Sequence, residues 1–435
     1  MKRILFLTLS LALSVQVYCQ SARTYTDSAM ADFTMQHYES AIGHFTDAIS
    51  MDMNNAELYY NRARCEVVIK ENTEAMTDYN KAISLDSVYG DAYCYRGTLK
   101  LHLKHNYDAI EDYTRSIFFD SSYADRGDPR GHMKKLQGTI SDRERPSEWD
   151  TMYAKPYCNR GVAKVNLKDY EGAIADYTKS IEMCSWLAIA YMNRAWAKRM
   201  LKDYKGAIAD YDKQVEAGFR PAQGYDDMGQ VKELQKDYSG AIIDYTKAVK
   251  ADPRYVNAYC HRGNAKVAQG AYILALADYD KAIQIDPKNA YAYCLRGWDK
   301  EKTEDHDGAI NDETTAILIS PKYADAYRDR GQSEYHKQDY NAAIKDYDKA
   351  ISLDSTKAYY YWERALVLTN INNRSDALMD YNKAIGIDPT SGYAYFSRAT
   401  LKIAMGLTNE ACEDFHGAVE LGYTDYNNAI ATYCK

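Results

Sequence analysis

His102 and His105 stand three residues apart, the one H-x-x-H spacing in the chain. Two imidazoles at that spacing could begin a metal site. A tetrahedral site needs three or four protein ligands, so a solvated turn is the simpler account of the pair. Cysteines occur at 19, 65, 94, 158, 184, 260, 294, 412 and 434, and none form a C-x-x-C motif that would hold zinc or cycle between thiol and disulfide. The chain has no phosphate-binding G-x-x-x-x-G-K-[ST] loop, dinucleotide fingerprint, G-x-S-x-G elbow or H-E-x-x-H helix. Arg126-Gly127-Asp128 matches the tripeptide of integrin ligands, but three residues are also an ordinary charged turn. The residues therefore point to no catalytic centre, metal or cofactor. Arginine and aspartate do recur: Arg at 62, 96, 160, 194, 262, 296, 330, 364 and 398, and Asp at 78, 112, 176, 210, 244, 278, 312, 346, 380 and 414. A guanidinium fork fits a carboxylate, so the two series could pair internally or present a charged stripe to a ligand. Both signs recur in step, which favours internal pairing.

Positioning these residues requires a folded scaffold. Of 435 residues 46% are hydrophobic, 27% are charged and 42 are tyrosine, a composition too aromatic for bulk disorder. The net charge of −8 argues against a nucleic-acid partner held by a basic surface. Mean hydropathy is −0.58 and the one long apolar run is N-terminal, so no internal membrane span is expected. Met1-Lys2-Arg3 followed by the apolar run Ile4–Val17 reads as a signal peptide, residues 1–19, cleaved before Gln20. A buried helix is the alternative. Lipidation of Cys19 would want a small residue where Tyr18 stands. Export places the chain most naturally in a periplasm, with secretion or outer-membrane association as alternatives.

An alanine recurs at 41, 75, 109, 173, 207, 241, 275, 309, 343, 377 and 411, always 34 residues apart except for the 64-residue step from 109 to 173. Eleven 34-residue repeats follow, three over 22–123 and eight over 154–425, with residues 124–153 as an insertion or a decayed repeat. Each repeat carries two helical apolar patterns joined by a polar turn such as Lys202-Asp203-Tyr204. With the alanine in slot 20, slot 4 is Tyr in every repeat, slot 8 is Ala or Gly, and slot 24 is aromatic in all but repeat eight, which has Glu313. This pattern resembles the tetratricopeptide repeat family over almost the whole chain after residue 21. The resemblance implies an all-α, right-handed superhelical solenoid of about eleven helix-turn-helix repeats, with residues 426–435 ending a C-terminal capping helix. Arg in slot 7 departs from the family, which usually has an apolar residue there.

The resemblance also implies a concave groove lined by slots 2, 5, 9, 12 and 13 of each first helix. Those slots hold Tyr291, Trp298, Arg328, Tyr335, Tyr359, Trp362, Tyr393 and Phe396 in repeats eight to eleven, and Met192, Trp196 and Arg199 in repeat five. Aromatics and arginine carry much of the energy of protein interfaces. Packing between repeats could claim some of them. The expected function is non-catalytic binding of an extended peptide or partner helix, with a glycan stacked on the C-terminal aromatics as the rival ligand. Some family members clamp a C-terminal carboxylate with Lys in slot 5, and no repeat here has that lysine. Cys94, Cys158, Cys260 and Cys294 all sit in slot 5. Equivalent slots of neighbouring repeats lie about 9–10 Å apart, too far for disulfides, so these thiols are expected to be free.

Overall fold

The computed structural model describes residues 22–125, 148–423 and 427–434. The described residues are helices and turns with no strand. The signal reading over 1–19, the Arg-Gly-Asp tripeptide and most of the insertion fall outside them. The chain divides into two units, Met1–Gly224 and Tyr225–Lys435. Each is a stack of antiparallel helix pairs, one pair per repeat.

Repeat seven shows why these residues make that pair. Its helices are Val256–Ala268 and Tyr272–Ile285. Slot 20 (Ala275) and slot 24 (Tyr279) lie one turn apart on the same face, and both are buried. The Tyr279 ring presses on Gly263 in slot 8: a Cβ there would lie 2.5 Å from its Cε1. A large ring thus requires a small residue opposite, which links two slots sixteen residues apart. The slot-24 rings, from Phe45 through Tyr211 to Phe415, dominate the largest fully buried side chains. Each helix pair turns at slot 15, where φ is positive in every repeat, as at Lys202 and Gly406. Slot 16 then caps the second helix: the Asp203 carboxylate accepts the Gly206 N–H at 3.0 Å, and Asp169, Asp237, Asp305 and Asp339 cap in the same way.

The arginines and aspartates pair inside each repeat. Arg262 donates to Asp278 through Nε (3.0 Å) and Nη2 (2.6 Å). Its Nη1 donates to Thr246 of the preceding repeat at 3.2 Å, and its guanidinium lies over the slot-4 Tyr259 ring at 5.5 Å. The Nε–aspartate bond forms in nine repeats. A slot-11 lysine such as Lys266 adds a second cation on the same carboxylate. That lysine was not anticipated from the sequence. Where Glu66 and Glu334 replace it, burial and the neighbouring aspartate charge push each carboxyl up to about 7.

Repeats three and four join directly. Their facing helices, Asn106–Asp125 and Glu148–Asn166, both run into the insertion. Arg160 reaches Thr114 at 3.1 Å and the Asn166 amide reaches Asn106 at 3.0 Å. The slot-5 cysteines form no disulfide. Cys412 and Cys434 form a disulfide that ties the helix Asn427–Tyr433 to the last repeat. The spacing that separates the slot-5 thiols does not bear on this pair, which lies outside that slot.

Candidate functional site

The candidate site is built on the first helices of repeats eight to ten: Ala290–Lys302, Ala324–His336 and Ala358–Asn370. Trp298, Arg328 and Tyr359 project from successive helices around one cleft of about 550 Å³, with Asp325 and Asp329 in its lining. Tyr359 also borders a second cleft of about 280 Å³, shared with Trp362 and Tyr393. Two clefts thus meet at one tyrosine. Slots 2 and 5 of adjacent helices fall side by side because the repeat returns the same face every 34 residues.

The larger cleft is acidic. Arg328 is its one arginine, and it is already engaged: Nε lies 2.8 Å from Glu363 Oε2, and Nη1 donates to Asp329 at 2.7 Å. Asp325 accepts the Tyr359 and Tyr360 hydroxyls at 2.9 and 2.7 Å. The lining holds two carboxylates, Asp325 and Asp329, against one guanidinium that Glu363 already engages, so it carries net negative charge. Burial pushes the Asp329 carboxyl up to about 6 despite the guanidinium beside it. Behind the cleft, Asp299 and Glu313 are fully buried and their carboxylate oxygens lack hydrogen-bond partners. Burial raises Asp299 to about 6 and Glu313, with the Asp329 charge adding to the effect, to about 10. The irregularity in slot 24 of repeat eight is therefore a neutral carboxyl in the core.

The aromatic faces are partly covered. Lys302 Nζ lies 5.0 Å over the Trp298 ring, and the Arg328 guanidinium lies 5.4 Å over Tyr359. Tyr291 is exposed, and its hydroxyl meets the Asn264 amide at 3.4 Å. Trp362 donates its indole N–H to Ser397 at 3.0 Å and packs partly on the core around Ala365. Tyr393 is 59% exposed and leans edge-on against Tyr423. Phe396 turns inward onto Phe415, against the core of the last repeat. In the N-terminal unit Met192 and Arg199 are half-buried, while Trp196 is exposed and edge-on to Tyr170.

Sequence reasoning missed Asp325, Asp329 and Glu363. A signal existed for two of them: slot 6 is Asn in three repeats, and Asp329 and Glu363 put acids there in consecutive repeats. It also missed Glu301, His306 and His336, whose ligand atoms lie within 4.8 Å of one another.

The fold and its recurrent slots define a protein of stacked helix-turn-helix repeats. Tetratricopeptide repeat models match residues 26–89, then 154–185 and 222–255, and a TPR repeat model matches 263–297 and 331–371. The chain belongs to the tetratricopeptide repeat family. No curated protein matches it. Similar solved structures include the yeast Tom70, at 19% identity over 95% of this chain and 94% of that one, with a TM-score of 0.46. The MamA protein is 27% identical over 39% of this chain and 92% of its own, with a TM-score of 0.35. YrrB, described as a TPR protein with an unusual peptide-binding site, is 25% identical over 41% of this chain and 92% of its own, with a TM-score of 0.34.

Proposed function

We propose that the chain is a non-catalytic scaffold that binds an extended peptide or helix of a partner protein across the first helices of repeats eight to eleven. The supporting observation is the acidic cleft where Trp298, Arg328 and Tyr359 converge with Asp325 and Asp329. An apolar anchor with a neighbouring lysine or arginine suits it: the rings take the anchor and the spare carboxylate charge takes the cation. A glycan is less well suited, because stacking on Trp298 or Tyr359 must first displace Lys302 or Arg328. The export of the chain to a periplasm through residues 1–19 belongs to the same proposal. The Cys412–Cys434 disulfide supports it, since disulfides persist in oxidising compartments. Among the described residues no helix is long and apolar enough to cross a membrane.

The test is capture from a cell-envelope extract by the mature chain and by its Trp298→Ala/Tyr393→Ala variant, alongside a soluble-glycan array. One protein held by the first and released by the folded variant supports the reading. Equal capture by both, or a glycan bound through these rings, overturns it.

A further inference from the structure

Repeat eight departs from the repeat pattern in two slots, and both departures meet a histidine of repeat nine in space. Slot 12 of repeat eight is Glu301, where six other repeats place Phe, Leu, Ile or Val. Slot 17, tyrosine in six repeats, is His306, and slot 13 of repeat nine is His336. Glu301 projects from the end of helix Ala290–Lys302, His306 opens helix His306–Ile319, and His336 closes helix Ala324–His336. The Glu301 side chain is only 4% exposed. Its Oε2 lies 2.9 Å from His306 Nδ1, and its Oε1 meets His336 Nδ1. The two imidazoles lie with centroids 5.5 Å apart, tilted 43° to each other.

We propose that Glu301, His306 and His336 form a binding site for a divalent transition-metal ion of the zinc class. Two imidazoles and one carboxylate are a donor set that zinc takes with a fourth, water-filled position. Ligand atoms around tetrahedral zinc stand roughly 3.3 Å apart, from metal–ligand distances of about 2.0–2.1 Å. The present separations, all within 4.8 Å, close to that by small side-chain rotations. A carboxylate buried this deeply needs a positive partner. A metal ion supplies one by taking the place of the protons now held between Nδ1 and the carboxylate. His336 is 40% exposed, which gives the ion an entry path and leaves room for a water ligand. Lys337 and Asp307, paired beside the site, already hold the two repeats together there. The ion would fasten repeats eight and nine where Glu313 replaces the core aromatic.

The experiment titrates Zn²⁺ into the tag-free, chelator-treated full chain by calorimetry, with thermal melts and a Co²⁺ absorption spectrum. The expected result is one equivalent bound, a raised melting temperature, and a tetrahedral Co²⁺ spectrum without a sulfur charge-transfer band. His306→Gln/His336→Gln is expected to weaken binding by at least the ~10–100-fold that even outer-shell changes cost. Glu301→Gln is expected to do the same, with helical circular dichroism retained in both. His102→Gln/His105→Gln should bind as the parent does. No saturable binding by the parent, binding that survives His306→Gln/His336→Gln, a sulfur band, or loss through the 102/105 pair overturns the proposal.

Discussion

The repeating arginine is the residue on which each repeat turns. It holds its own aspartate with two hydrogen bonds, covers its own tyrosine and reaches the preceding repeat, as Arg194 does with Asp210, Tyr191 and Thr178. A planar guanidinium can make all of these contacts at once, and an ammonium cannot. Repeat six is the natural control. Met228 stands in the arginine slot, and Asp244 pairs with Lys232 and Lys247 instead. Asp210→Ala strands a half-buried guanidinium and is expected to cost about 3–5 kcal/mol. Asp244→Ala releases flexible ammoniums that water can solvate and should cost clearly less. Urea unfolding of both variants measures the difference, and equal losses would refute pairing within each repeat. This ladder was readable in the sequence because both signs recur in step. The lysine on the same carboxylate was not, since surface lysines are common and nothing in a sequence separates this one from the rest.

Among the elements, the helix pair of repeat eight is the exception. Helix His306–Ile319 carries Glu313 where ten others carry a ring; the charge of the half-buried Asp329 adds to the burial that raises it, and Asp299 is buried in the first helix of the same repeat. These carboxyls are raised above their unfolded values, so the folded chain holds protons that the unfolded chain releases. Their contribution is complete below the unfolded pKa of about 4 and is lost as pH rises, up to about 6 for the aspartates and about 10 for Glu313. Melting temperature is therefore expected to fall between about pH 5 and pH 8. Glu313→Gln should flatten that slope, and Glu313→Tyr should restore the common packing over Gly297 and raise stability by about 0.5–2 kcal/mol. A parent and Glu313→Gln with the same pH slope would place the titration elsewhere. Glu313 was visible in the sequence as a break in a regular slot. Its protonation was not, because that depends on how completely the neighbouring helix excludes water.

For the whole molecule, the 34-residue period makes the all-α repeat architecture legible in the sequence, because one alanine and two aromatic slots recur almost without fault. The binding face was legible only in part. Periodicity placed Trp298, Arg328 and Tyr359 on one face, but it could not say that Arg328 is engaged by Glu363 or that Phe396 turns into the core. The C-terminal disulfide was hidden because Cys434 lies beyond the last repeat. Its reduction is expected to free helix Asn427–Tyr433, seen as faster amide exchange there, and to cost about 2–4 kcal/mol for the 22-residue separation it closes. Unchanged exchange on reduction would show that packing alone holds the cap.

The central claim is that the acidic aromatic cleft binds a partner segment. Its most direct test is the affinity of a peptide selected against the full chain by display, measured by fluorescence anisotropy on the parent and on Trp298→Ala/Tyr393→Ala. Losing anchoring rings costs about 2 kcal/mol or more, so a loss of roughly 30-fold is expected, with the melting temperature little changed. Undiminished binding by the folded variant would contradict the claim.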